Sequence, residues 1–236
     1  MSGPDSSSDS SELIIRDALP TDAASCAEIY GPYCTSSIIT FELVPLTSTE
    51  MAQRIAAAQS HAFLVAELDG IVVGYAYAGA FNPRLAYRWS CTTTVYLSPT
   101  ARGKGIGKAL YQALLDRLRD RGYRQAFAGI SQPNAASNGI HEKMGFERVA
   151  RYRRVGWKLG KWHDVVWYQL DLGGEGEGRK RGSHRLNRDS AEASGTARAA
   201  RGERAMRKRS RDKRSRVMFR ISGYAVLVVE LYATTQ

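Results

Sequence analysis

Thr94-Val95-Tyr96-Leu97-Ser98-Pro99-Thr100-Ala101-Arg102-Gly103-Lys104-Gly105-Ile106-Gly107 is the stretch on which the fold turns. Its first part closes a run dense in Thr, Val and Tyr that begins at Trp89 and reads as a strand, with Pro99 as its stop. Its last part opens a helix. Ile106, Leu110, Leu114, Leu115 and Leu118 recur at helical spacing, Asp116, Arg117, Arg119, Asp120 and Arg121 fill the opposite face, and Gly122 ends it. Between strand and helix, glycines alternate at 103, 105 and 107. Such a turn lets the backbone bend and come close to a ligand. The first N–H groups of the helix then face outward without partners, a ready anion site, and Lys104 and Lys108 add positive charge. Alone, the glycines also fit an ordinary strand-to-helix turn. A Walker A loop is excluded because no Gly-Lys-Ser/Thr follows, and a dinucleotide fingerprint fits poorly after several preceding strands.

Around this centre the chain reads as β, α, β-hairpin, β, glycine loop, α, β, α, β, β. Leu13-Ile14-Ile15 is a short strand, and Thr21 or Asp22 is placed to cap a helix carrying Ala24, Ile29 and Tyr30. Ala62–Leu68 and Ile71–Ala78 form a hairpin across Asp69-Gly70. Gln125–Ser131 is a strand, and Asn134–Met144 a helix stopped by Gly145. Arg148–Trp157 and Asp164–Leu172 are β-like runs around a turn from Lys158 to His163. The expectation is an α/β domain over residues 12–172 with a mixed, twisted sheet flanked by helices. Residues 1–11, rich in Ser and Asp, read as a disordered leader, and residues 173–236 as a basic low-complexity tail.

Arg102-Gly103-Lys104-Gly105-Ile106-Gly107 resembles the acetyl-CoA loop of the GNAT acetyltransferases, and the segment from Asn134 to Gly145-Phe146 is similar to that superfamily's Asn-led helix ending in Gly-Phe. Within it, Ile29-Tyr30, Phe41-Glu42, Ala86-Tyr87-Arg88-Trp89, Thr94-Val95-Tyr96-Leu97 and Gly160-Lys161-Trp162-His163-Asp164-Val165 resemble the phosphinothricin acetyltransferase group. The likeness covers about Leu13 to Leu172. It implies the GNAT acyltransferase fold and acetyl transfer from acetyl-CoA to the amine of a small amino-acid-like acceptor, by direct attack on the thioester. It further implies that the backbone of Val95, Tyr96 and Leu97 pairs with the pantetheine arm, and that the N–H of Val95 or Tyr96 polarises the thioester carbonyl. Arg102, Gly103, Lys104, Gly105, Ile106, Gly107 and Lys108 would hold the pyrophosphate, and Asn134 would meet the cofactor. Phe41, Arg84 and Tyr87 fall where the group contacts its acceptor. A homodimer is expected on the same ground.

One position departs from the group. Its general base, a glutamate three residues before the Val of Val-Tyr, is replaced by Thr92, which cannot take a proton at neutral pH. Thr92 could instead hold a water leading to Glu42 or His163. The acceptor could be an amine of lower pKa, or activity could be weakened or lost, leaving an acetyl-CoA-binding protein. His141 stands where many members carry a tyrosine general acid, against a packing role for the same residue. His163, beside Asp164 in a Trp-flanked turn, is either an active-site neighbour or a hydrogen-bonded structural residue. Cys91 lacks a base at a recognisable spacing, so a covalent intermediate is not expected.

Composition sets the remaining bounds. The formal net charge of +11 is concentrated after Leu172, where 16 Lys/Arg face 7 Asp/Glu, whereas residues 12–172 hold 18 against 14. A tail-borne nucleic-acid role would need only counterion release. The tail lacks interleaved aromatics and any nucleic-acid fold signature, so a solvated segment is the stronger reading. Three cysteines without CxxC or zinc spacing favour reduced thiols, a cytoplasmic protein and no metal. The longest apolar stretch, Tyr224–Val229, is far short of the ~20 residues a membrane span needs.

Overall fold

The computed structural model describes residues 12–173. The leader over 1–11, and all of the 173–236 tail but Gly173, lie outside the described residues. With one helix added, α2, the elements follow in the expected order: β1 (Leu13–Asp17), α1 (Ala23–Ser36), α2 (Ser48–Ala58), β2 (Ala62–Leu68), β3 (Ile71–Ala80), β4 (Ser90–Leu97), α3 (Ile106–Asp120), β5 (Gln125–Ser131), α4 (Ala135–Lys143), β6 (Glu147–Lys158) and β7 (Lys161–Asp171). The seven strands make one mixed sheet in the order β1-β2-β3-β4-β5-β7-β6. Every pairing is antiparallel except that of β4 with β5.

Period-2 alternation divides the core between the two faces of the sheet. Small and aliphatic residues of β2 and β3 (Ala62, Leu64, Ala66, Ala76, Ala78) pack under α3, against Leu110, Tyr111, Leu114, Leu115 and Leu118. Their aromatic neighbours Phe63, Tyr75 and Tyr77 face α1 and α2, against Tyr30, Tyr33, Met51 and Ile55. The result is a three-layer α/β/α domain.

Three local readings change. Asp22 precedes α1 but its carboxylate does not cap it; it accepts from the Leu19 N–H and from Arg16. The helix α2 was not foreseen, although Thr47-Ser48-Thr49-Glu50 is a capping box whose two reciprocal bonds are both made. The expected Lys158–His163 turn shrinks to Leu159-Gly160, both at positive φ. Lys158 and His163 are therefore strand residues, and both are buried.

Candidate active site

The site forms where the sheet comes apart. β4 and β5 pair over only three positions, Ser90↔Gln125, Cys91↔Ala126 and Thr92↔Phe127. Beyond them a gap of about 100 Å³ opens, lined by Thr93, Thr94, Val95 and Tyr96 on one side and Ala128, Gly129, Ile130 and Ser131 on the other, with Asn134, Ser137, His141 and Ile39 around it.

Hydrogen-bond alternation shows which backbone groups face that gap. The Phe81 N–H donates to Ser90 O at one end of the β3–β4 pair, and the Ser98 N–H to Val73 O at the other. The register between them is unbroken, so the even-numbered residues Thr92, Thr94 and Tyr96 bond to β3 and the odd-numbered ones point toward β5. Past Thr93 there is no strand to receive them. Val95 thus presents a free N–H and C=O to the gap, while those of Tyr96 are spent on β3. The Tyr96 ring packs among Tyr30, Tyr33 and Tyr75. The Leu97 carbonyl accepts from the Tyr33 hydroxyl at 2.7 Å.

The glycine loop leads from β4 into α3, and its glycines do two jobs. Gly103 and Gly105 have φ of 78° and 77°, with open space where a Cβ would stand. Gly107 allows close approach: a Cβ there would meet the Leu97 side chain at 2.9 Å. No side chain caps α3 at Gly105, so the N–H groups of Ile106 and Gly107 have no acceptor in the helix. Lys104 and Lys108 are exposed beside them. The Arg102 guanidinium turns the other way, donating to the Tyr33 hydroxyl at 2.9 Å and lying over its ring. Asn134 caps α4, its Oδ1 accepting from the Ser137 N–H at 3.1 Å, which leaves its amide NH2 on the gap. The buried Ser131 hydroxyl, also on the gap, has no hydrogen-bond partner among the described residues. An uncapped helix start, an open glycine cradle and unspent donors along a splayed strand are the features that a phosphate-bearing, amide-containing arm such as that of acetyl-CoA would use.

The titratable candidates differ sharply. Thr92 donates weakly to Gly79 O at 3.4 Å and carries no basic group. His141 is buried with both ring nitrogens engaged: Nδ1 donates to Ser137 O at 2.7 Å, and Nε2 meets the Tyr111 hydroxyl at 3.0 Å. Burial holds its pKa below the usual histidine value. Tyr111 in turn meets the Thr93 hydroxyl at 2.6 Å. His163 is bonded on one side alone. A carbonyl accepts only, so its Nε2 carries the proton given to Lys158 O at 3.0 Å, and among the described residues Nδ1 has no hydrogen-bond partner. Its ring stands 6.4 Å from that of Phe41 and borders a separate hollow of about 480 Å³ shared with Gln132, Asn138, Trp162 and Asp164, whereas His141 lines the β4–β5 gap itself. Glu42 is occupied, its carboxylate paired with Arg54 at 2.7 Å. Burial pushes the Cys91 thiol up to about 12, which disfavours the thiolate that a nucleophile needs.

Of the expected acceptor contacts, Phe41 comes two residues after Ile39, which lines the gap, and its own ring faces Gly156 on β6 and His163 on β7. Arg84 and Tyr87 are exposed on the loop before β4; like Phe41, Thr92 and His163, they are not among the residues lining the gap. Three residues to which the sequence assigned no role of their own shape the surroundings of Phe41 and His163. Gly156 lies under Phe41, where a Cβ would run into the ring. Lys158 donates to three carbonyls of the neighbouring segment. Asp164 accepts the Arg154 N–H at 2.8 Å and pairs with Arg151, which fixes the β6 bulge that sets Gly156 opposite His163.

Among the described residues no group of three or more His, Cys, Asp or Glu side chains could hold a metal, and no helix is long and apolar enough to cross a membrane.

Comparison with known proteins agrees with this geometry. Residues 26–146 match the model of the acetyltransferase (GNAT) family. A phosphinothricin N-acetyltransferase of Streptomyces viridochromogenes is 36% identical over 159 residues, spanning 67% of this chain and 87% of the relative. An L-methionine sulfoximine/L-methionine sulfone acetyltransferase of Pseudomonas paraeruginosa is 35% identical over 164 residues, 67% of this chain and 94% of the relative. The crystal structure of a phosphinothricin acetyltransferase from Sinorhizobium meliloti in complex with acetyl-CoA superposes with a TM-score of 0.67 at 37% identity, covering 75% of this chain and 97% of the other.

Proposed function

The chain belongs to the acetyltransferase (GNAT) family and is an N-acetyltransferase; on that premise we propose that it transfers the acetyl group of acetyl-CoA to the amine of a small amino-acid-like acceptor of the phosphinothricin or methionine sulfone/sulfoximine type. The observation that carries this is the free Val95 N–H in the β4–β5 gap, at the far end of a strand that runs into the uncapped start of α3. Acetyl-CoA supplies an acetyl thioester, which a neutral amine attacks directly with loss of the thiol.

The chain's own groups then have separate tasks. The N–H groups of Ile106 and Gly107, with Lys104 and Lys108, hold the pyrophosphate. The Val95 backbone and the Asn134 and Ser131 side chains pair with the arm, and the Val95 N–H stabilises charge on the carbonyl oxygen. Phe41 packs against the acceptor. His163 takes the proton released by the amine on Nδ1, directly or through a water held by Thr92; its unengaged Nδ1 supports this assignment over His141. His141 serves through Tyr111 and Thr93, and the return of a proton to the thiolate is assigned to that hydroxyl pair. A cytoplasmic homodimer is part of the same reading.

Thiol release from acetyl-CoA with phosphinothricin, methionine sulfone and methionine sulfoximine tests the proposal. Release that depends on an acceptor supports it. Saturable acetyl-CoA binding without acceptor-dependent release would favour a binding protein that has lost turnover, the reading that Thr92 keeps alive.

A further inference from the structure

The segment between α1 and α2 has no regular structure, yet it is held from several sides. The Tyr30 hydroxyl bonds Thr40 Oγ1 at 2.7 Å. The Glu42 N–H donates to that same Oγ1, and the Glu42 carboxylate pairs with Arg54. The strongest hold comes from more than a hundred residues away. The Lys158 ammonium, 3% exposed, donates to Tyr33 O at 3.0 Å, Thr40 O at 2.7 Å and Glu42 O at 2.9 Å.

An ammonium has three protons and no lone pair, and here all three go to carbonyls. Tyr33 is in the last turn of α1, where carbonyls lack helical partners and the helix dipole favours a cation. Thr40 and Glu42 bracket Phe41. With the carbonyls on both sides pinned to Lys158, the Phe41 ring is directed onto Gly156, two residues before Lys158 on the same strand. The Lys158 carbonyl holds His163 by its Nε2, so one residue fixes both the ring and the imidazole. Burying a lysine away from water is costly unless its donors are satisfied. A merely space-filling position would be served by an apolar side chain.

We propose that Lys158 is a positioning residue for the acceptor pocket: by clamping the carbonyls on either side of Phe41 it fixes that ring against Gly156, and so sets affinity for the amine acceptor while leaving acetyl-CoA binding alone. The inference rests on the acetyl-transfer reading for its acceptor, but the clamp itself can be read without turnover.

The test uses the full chain with Lys158→Met, Phe41→Ala and the double variant. Lys158→Met should raise acceptor KM roughly tenfold, lower kcat less than about threefold and leave acetyl-CoA Kd within about twofold. Hydrogen exchange should speed up at amides 37–47 and stay unchanged in α3. Because Lys158 acts through Phe41, the double variant should raise KM by much less than the product of the single effects. If Lys158→Met does not fold, Gly156→Ala displaces the ring from its other side and should raise acceptor KM alone. An unchanged acceptor KM in a folded variant, an equal loss of acetyl-CoA affinity, or multiplicative single effects would overturn the proposal. Wild-type protein that releases no thiol with any acceptor would refute the acetyl-transfer reading instead, and exchange at 37–47 would still decide whether Lys158 clamps the segment.

Discussion

The two walls of the site are built in opposite ways. The wall proposed for acetyl-CoA comes from one stretch of chain, β4, the glycine loop, α3, β5 and α4, whose donors are backbone groups left over where regular structure ends. The wall proposed for the acceptor joins Phe41 to Gly156, Lys158 and His163, and its geometry is set by side chains reaching across the domain. Tyr33 touches both. Its hydroxyl serves Leu97 and Arg102, and its carbonyl serves Lys158. On the proposed assignment, cofactor recognition is preformed by local backbone rules, whereas acceptor recognition depends on long-range packing.

The largest expected effect probes the backbone wall. Val95→Pro removes an N–H that faces the gap and not β3, so the β3–β4 ladder survives. Rate assays should show kcat down by about 10² or more, with near-native circular dichroism. Tyr96→Pro, which removes a donor used by β3, should fail to fold; a folded Tyr96→Pro would break the assignment of which groups face the gap.

Next comes the base. His163→Gln keeps a donor for Lys158 O but has no basic nitrogen, and should cost about 10²-fold in kcat with little change in acetyl-CoA Kd. Thr92→Glu restores a carboxylate on β4 and should raise the rate several-fold on a true acceptor. An unchanged rate, with acetyl-CoA still bound, would sink the idea that a base is missing at that position.

A smaller effect concerns His141. Burial lowers its folded pKa below the unfolded value of 6.5. The unfolded chain therefore binds more protons in the window below that value, and the stability conferred by neutral His141 is present above pH 6.5 and lost as pH falls toward its folded pKa. His61 is shifted the same way by burial and by Arg121. Urea unfolding between pH 7 and pH 5 should show falling stability, and His141→Gln should flatten part of that slope. The smallest expected effect is that of Tyr33→Phe, about 1 kcal/mol from the lost hydroxyl bonds, measurable as a shift in urea midpoint.

Much of this division was visible in the sequence. The glycine triplet, the apolar stripe of α3, the Asp69-Gly70 hairpin and the Gln125–Ser131 strand are short-range signals, and the structure has them in place. Helix α2 was missed because its buried face is only Met51, Ile55 and Ala58, too thin a stripe to stand out, although its capping box was there to be read. Lys158 looked like a turn lysine, since nothing near it announces that carbonyls 116 to 125 positions away will receive its protons. Arg84 and Tyr87, matched by resemblance, are exposed on the loop before β4, where no contact among the described residues marks a role.

Initial rates of thiol release, with acetyl-CoA and methionine sulfone varied together, test the central claim most directly. Direct attack by the amine in the β4–β5 gap predicts acceptor-dependent release, with reciprocal plots that intersect. Release indifferent to the acceptor, or parallel plots demanding an acetylated enzyme intermediate, would contradict it.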